Sequence, residues 1–171
     1  IKVCHNLRIP RHKVFDGTAQ RGKGTMGWFY GFKLHLIVNH LGGIVAARLT
    51  PANVDDRKPV KELAADLPVR LYGDKGYISQ AVTDDLAQEG ITLVTGQRKN
   101  MNAKELSFFD RAMLSKRFII EAINNQLKNI SQIEHSHHRI LHGFMLNLLG
   151  GDSYCHKEEK PALNINAGDP T

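Results

Sequence analysis

Trp28, Tyr30, Phe32, Leu34, Leu36 and Val38 alternate with other residues along one uninterrupted segment. Period-two alternation of this length marks a β-strand with one buried face. Gly42-Gly43 follows as a turn signal and Ile44-Val45-Ala46-Ala47-Arg48-Leu49 as a second β-rich run, so the pair is expected to close as an antiparallel hairpin. Lys33 and His35 fall on the opposite strand face, which is expected to look to solvent. A second apolar pattern lies far downstream. Ile119, Ile123, Leu127 and Ile130 recur at spacings of three and four, the period of a helix that buries one stripe against a core.

Between these landmarks the chain alternates helix and strand signals. Asp55 or Asp56 can cap a helix carrying Val60, Leu63, Ala64 and Leu67, with Pro59 tolerated in its first turn. A strand is expected over 69–73, a helix from about Ser79 through Val82 and Leu86 to the stop signal Gly90, and a further strand over 91–95. Counting a strand upstream of or overlapping Ile1, five strands and their helices suit an α/β fold, a mixed sheet flanked by helices. Ile140, Leu141, Phe144, Met145, Leu148 and Leu149 mark a last packing helix, stopped by Gly150-Gly151. The expected domain is 1–149, with a loosely ordered tail over 150–171. A chain of 171 residues, 42% hydrophobic, is long enough for one such core.

The downstream helix also has a polar stripe: Arg117, Glu121, Asn124, Asn125 and Lys128, one carboxylate between two cations. A solvated face with an i,i+4 ion pair would look the same, and such a pair contributes only about 0.2–0.5 kcal/mol. Asp74 stands in Gly73-Asp74-Lys75-Gly76-Tyr77, just beyond the carboxyl end of an expected strand. In open α/β sheets ligands bind at that edge; a turn Asp ahead of a Ser79 helix cap is the structural alternative.

Charge narrows the partners. Lysine and arginine number 23 against 17 acids, a net +6, and the distribution is uneven. Residues 1–33 hold Lys2, Arg8, Arg11, Lys13, Arg21, Lys23 and Lys33 against the single acid Asp16, while the rest of the chain is balanced. A basic stretch of this kind suits a polyanion such as nucleic acid. It also carries Gly17, Gly22, Gly24, Gly27 and Gly31, which reads as a flexible loop, either solvated or bringing backbone N–H groups to phosphates. The segment from Gly17 to Lys23 imitates a nucleotide-binding P-loop, but Gly24 stands where Ser or Thr would hold Mg²⁺, and a strand follows where a helix is required.

Nine histidines raise a zinc alternative through His135-Ser136-His137-His138 with His142, or Cys4-His5 with His12, although neither matches a closed four-ligand spacing. Two distant cysteines, no run of 18 apolar residues and no signal pattern imply a soluble, cytoplasmic setting with no membrane partner.

Several blocks in one order resemble the DDE transposases of bacterial insertion sequences, most closely the family numbered nine-eighty-two. They are Gln20-Arg21-Gly22-Lys23, Gly27-Trp28-Phe29-Tyr30-Gly31-Phe32-Lys33-Leu34-His35-Leu36, Thr50-Pro51-Ala52-Asn53-Val54-Asp55-Asp56-Arg57-Lys58-Pro59, Gly73-Asp74-Lys75-Gly76-Tyr77-Ile78 and Gln126-Leu127-Lys128-Asn129-Ile130-Ser131-Gln132-Ile133-Glu134-His135-Ser136. The resemblance implies a ribonuclease H-like fold whose two Asp and one Glu bind two divalent cations, Mg²⁺ with Mn²⁺ as a substitute. By motif, Asp74 matches the second Asp and Glu121 the Glu; both are expected metal ligands. Arg117 and Lys128 match the R-x3-E-x6-K signature, with Leu114 where the family has Tyr. The first Asp is expected just ahead of Ile1 and Asp16 does not match it, which implies a catalytic domain incomplete at its first strand.

The implied function is metal-dependent cleavage and strand transfer of DNA during transposition of a mobile element. The implied partners are element ends and target DNA, with homo-oligomers in the full-length protein. Lys23, Arg21, Lys33, Lys75, Arg98 and Lys99 are expected DNA contacts. An inactive fragment with nonspecific DNA binding and a histidine-rich zinc-binding protein are the alternatives.

Overall fold

In chain order the strands and helices are β1 (Lys2–Cys4), β2 (Gln20–Gly24), β3 (Gly27–Val38), β4 (Ile44–Pro51), α1 (Val60–Ala64), β5 (Arg70–Gly73), α2 (Gln80–Gln88), β6 (Thr92–Thr95), α3 (Phe108–Ser115) and α4 (Phe118–Asn129). The computed structural model describes residues 1–24, 27–65, 67, 70–97, 105–129, 133, 143–144, 146–147 and 150. The expected tail over 150–171 therefore lies almost wholly outside the described residues, as do the histidines from His135 to His142.

The alternating segment becomes β3, the central strand of a four-stranded antiparallel sheet. β3 and β4 pair from Phe32↔Pro51 to Val38↔Ile44. Their turn is closed by Asn39, whose Oδ1 accepts the N–H groups of Leu41 at 3.0 Å and Gly43 at 2.8 Å, while Gly42 takes φ 100°. β1 lies along the other edge of β3. The glycine-rich stretch expected to be a flexible loop instead forms β2, paired with β3 from Gln20↔Gly31 to Gly24↔Gly27. The reason is close approach: a Cβ at Gly22 would stand 2.1 Å from the Ala52 carbonyl oxygen, so only glycine lets β2 abut the end of β4.

β5 and β6 pair in parallel from Arg70↔Thr92 to Gly73↔Thr95, with α2 as the crossover between them. Parallel neighbours require such a crossover. The fold is thus mixed α/β, as expected, but among the described residues the two sheets share no hydrogen-bonded strand pair. α2 ends at Gly90, φ 76°, as its stop signal indicates. The proposed Asp cap of α1 is not made. Pro59 caps that helix without a side-chain bond, and Asp55 closes the turn ahead of it, accepting the Arg57 N–H at 2.9 Å and gripping the guanidinium at 2.9 and 2.7 Å.

Both faces of the β3–β4 sheet are covered. Ile123 and Leu127 of α4 bury with Ile133 against Leu34, Leu36, Val38, Ile44 and Ile1; burying such a side chain contributes about 1.5–3 kcal/mol relative to exposure. Ala64, Leu86 and Ile91 form a second cluster, between α1, α2 and β6, that reaches Ile37. The expectation of a solvent-facing row at Lys33 and His35 is therefore corrected. His35 is 8% exposed, its Nε2 lies 2.8 Å from Thr50 Oγ1, and burial pushes its pKa down, with Asp56 opposing and Lys33 and Arg48 reinforcing. Trp28, expected in the buried row, is exposed, because the cover over that face of β3 stops at Tyr30.

Candidate active site

Asp74 leaves the carboxyl end of β5 and caps a 3-10 turn over Lys75–Tyr77, its Oδ1 accepting the Lys75 N–H at 2.7 Å. That bond fixes the carboxylate at the sheet edge. Arg117 stands one residue ahead of α4, whose apolar stripe seats the helix on β3 and turns the stripe of Glu121 outward. Arg117 Nη1 lies 3.1 Å from Asp74 Oδ1, and Arg117 Nε donates to Glu121 Oε1 at 3.0 Å. One guanidinium thus joins two carboxylates 47 residues apart in sequence.

All three side chains are more than half exposed, at 51% for Asp74, 60% for Arg117 and 62% for Glu121. Exposed ion pairs contribute about 0.2–1 kcal/mol, so this arrangement adds little to stability and its acids stay open to ions and ligands from solvent. Glu121, Asn124, Asn125 and Lys128 line an open cavity of about 500 Å³ along the polar face of α4. Lys128 is seven residues beyond Glu121, about 10 Å along the helix. Two carboxylates and amide oxygens form an all-oxygen donor set, the type that hard divalent cations take. Among the described residues no three His, Cys, Asp or Glu side chains gather closely enough to hold a metal by themselves.

The expected basic residues divide into groups. The stem of Lys75 runs over Gly96 at the end of β6, where a Cβ would meet Lys75 Cε at 3.4 Å, so this lysine shares the strand-end edge with Asp74. Lys33 is already engaged, pairing with Asp56 at 2.9 Å and donating to the Val54 carbonyl at 2.8 Å. Burial raises the pKa of Tyr77, and the negative charges of Asp56 and Asp74 both add to the shift. Arg21 and Lys23 sit on β2, opposite Tyr30 and Trp28, and are not brought to the acids. Arg98 and Lys99 lie outside the described residues. Of the amino-terminal candidates for zinc, His12 stacks on Phe15 with centroids 5.5 Å apart, and His5 Nδ1 accepts the Leu7 N–H at 3.4 Å.

Asp110 was missed in the sequence. Only 8% exposed, it accepts from Tyr72 Oη at 2.9 Å, Arg70 Nη1 at 3.1 Å and Ser107 Oγ at 2.8 Å. Hydrogen bonds from Ser107 and Tyr72, with Arg70 nearby, hold its carboxyl below the usual carboxylate range. The network clamps β5, which delivers Asp74, to α3, which runs straight into Arg117 and α4. Its local signal was present: Ser107 caps α3 by accepting the Asp110 N–H at 3.1 Å, the capping pattern of a Ser followed three residues later by an acid.

A family model described as a transposase DDE domain matches residues 1–141. No curated protein and no solved structure matches the chain.

Proposed function

The chain belongs to the transposase DDE domain family, and on that premise we propose that Asp74 and Glu121 are two of the carboxylates with which it cuts and rejoins DNA at the ends of an insertion sequence. Membership carries a transposase function in general, with DNA as substrate and divalent metals as the usual cofactors. The observation that carries the finer reading is the single Arg117 guanidinium spanning Asp74 and Glu121 at the carboxyl edge of β5.

Asp74 and Glu121 would hold the cation, with Mg²⁺ as the proposed ion because it keeps several waters and needs few carboxylates. Bound there, the ion would supply polarisation of the phosphoryl oxygens and a more acidic attacking water or hydroxyl, and a two-ion site would need a further acid beside these two. Arg117 holds the two carboxylates together against their mutual repulsion, and its forked donors also suit a phosphate. Lys128 offers a second cation to the DNA backbone along the cavity. In the first step a P–O bond forms to water while the bond to the 3′-oxygen breaks, leaving a 3′-hydroxyl and a 5′-phosphate. In the second, that 3′-hydroxyl attacks a target phosphorus and displaces the target's own 3′-oxygen.

The test is nicking of duplex DNA bearing the element ends by the full-length protein. Strand breaks with 3′-hydroxyl termini are expected with Mg²⁺ and none with EDTA; breaks that persist without metal, or none in either condition, reject the reading.

Asp110 acts at one remove as a positioning residue, since its clamp sets where Asp74 stands relative to Arg117. Asp110→Ala is expected to slow single-turnover cleavage about 100-fold, the scale of an ångström's misplacement, with DNA affinity changed less than about twofold. Asp110→Asn, whose single amide oxygen can keep the bond from Tyr72 at Oδ1 while its NH2 group takes the position facing Ser107, should recover part of the rate. Equal losses in both variants, or a matching loss of affinity, would contradict a positioning role.

A further inference from the structure

Residues 1–33 carry the whole excess of positive charge, and the fold gathers much of it around one exposed aromatic ring. β2 and β3 pair with Arg21↔Tyr30 and Lys23↔Trp28. Directly opposed residues share a face, and alternation puts all four on the same one. Tyr30 is covered there, its hydroxyl donating to the Phe15 carbonyl at 3.2 Å, whereas Trp28, two residues nearer the tip, is 64% exposed. Asn6 Nδ2 donates to the Trp28 carbonyl at 3.0 Å. That bond and the Tyr30–Phe15 bond fasten the segment bearing Arg8, Arg11 and Lys13 beside the ribbon.

Arg8, Arg11, Lys13, Arg21 and Lys23 are all exposed, and none makes an ion pair among the described residues. Among the described residues the first of these cations with an ion pair is Lys33, with Asp56. Five unneutralised cations around an uncovered indole repel one another and leave apolar area in water; a polyanion with stacked rings answers both. A two-stranded ribbon fits the major groove of a duplex, and an aromatic side chain can wedge against base steps or sugars. Lys33 lies five residues along β3 from Trp28, about 17 Å at strand rise, and on the opposite face of the strand, where it pairs with Asp56.

We infer that the β2–β3 ribbon, centred on Trp28 and flanked by Arg8, Arg11, Lys13, Arg21 and Lys23, is a docking surface for duplex DNA, separate from the acid site. The inference rests on the reading of DNA as substrate but not on the assignment of Asp74 and Glu121.

Trp28 is the single tryptophan of these 171 residues, so the part of the tryptophan emission that is lost in Trp28→Phe reports this surface. The full-length protein is titrated, without metal, with labelled duplex and single-stranded oligonucleotides of one sequence, following tryptophan emission and label anisotropy together. Saturable quenching by duplex is expected. Neutralising Arg21 and Lys23 together to Ala should reduce the slope of log affinity against log salt by about two, and Trp28→Ala should weaken binding by about 5- to 100-fold. DNA bound with no change in emission overturns the ribbon while sparing the active-site reading. An unchanged salt slope in the double variant, or stronger quenching by the single strand, overturns the duplex assignment. No DNA binding at all overturns both.

Discussion

Asp74→Asn and Glu121→Gln should each remove metal-dependent strand cleavage by the full-length protein, by at least about 100- to 1,000-fold, the scale on which loss of one electrostatic stabiliser acts. Each change is isosteric and deletes only a negative charge, so the loss would report on charge at the site and not on packing. Stability should barely move, because each variant weakens just one exposed pair with Arg117, and such pairs contribute about 0.2–1 kcal/mol. For a chain of this size that is a melting shift of about 4 °C at most. The measurement is single-turnover cleavage alongside thermal unfolding. More than a tenth of the parental rate in either variant would remove that residue from the catalytic set, and a collapse in melting temperature would show that the exposed pairs hold the fold together instead.

The elements legible in the sequence are those whose signal is local. β3 announced itself through alternation, α4 through Ile119, Ile123 and Leu127, the end of α2 through Gly90, and the strand-end position of Asp74 through its flanking glycines. What stayed hidden depends on partners distant along the chain. Gly22 reads as flexibility until Ala52, 30 residues on, is seen to press against it. His35 reads as exposed until the fold is seen to bury it with its Nε2 2.8 Å from Thr50 Oγ1. The bridging of Asp74 and Glu121 by Arg117 follows from no spacing, because helix periodicity predicts the Arg117–Glu121 pair but says nothing about which strand end stands above it. Asp110 carried a capping signature, yet nothing local says that Arg70 and Tyr72, about 40 residues earlier, would complete its hydrogen bonds.

Gly31→Ala should be, with Gly22→Ala, among the most destabilising substitutions of a glycine among the described residues. Gly31 is the point where β3 is flanked on both edges, by Lys2 of β1 and Gln20 of β2, and its carbonyl accepts the Ala52 N–H at 3.0 Å. A Cβ there would stand 2.0 Å from the Ile1 carbonyl oxygen and 3.2 Å from the Val3 nitrogen, both backbone atoms that cannot rotate aside. β1 must then move off β3, straining the bonds between Ile1 and Phe32 at 2.7 and 3.0 Å. Ile1 also packs in the cluster of Ile123 and Leu127 that seats α4, so the disturbance passes to the helix that carries Glu121. Overpacking of this kind costs about 3 kcal/mol or more, a fall in melting temperature of about 6–12 °C. Gly76→Ala is the control: it lies two residues from Asp74, yet a Cβ there meets nothing within 4 Å, and its melting temperature should stay within about 2 °C of the parent, since a surface change without a named defect moves stability by about 0.5 kcal/mol. If Gly31→Ala melts as the parent does, β1 is not held against β3 in this register, and the seat of α4 on Ile1 goes with it.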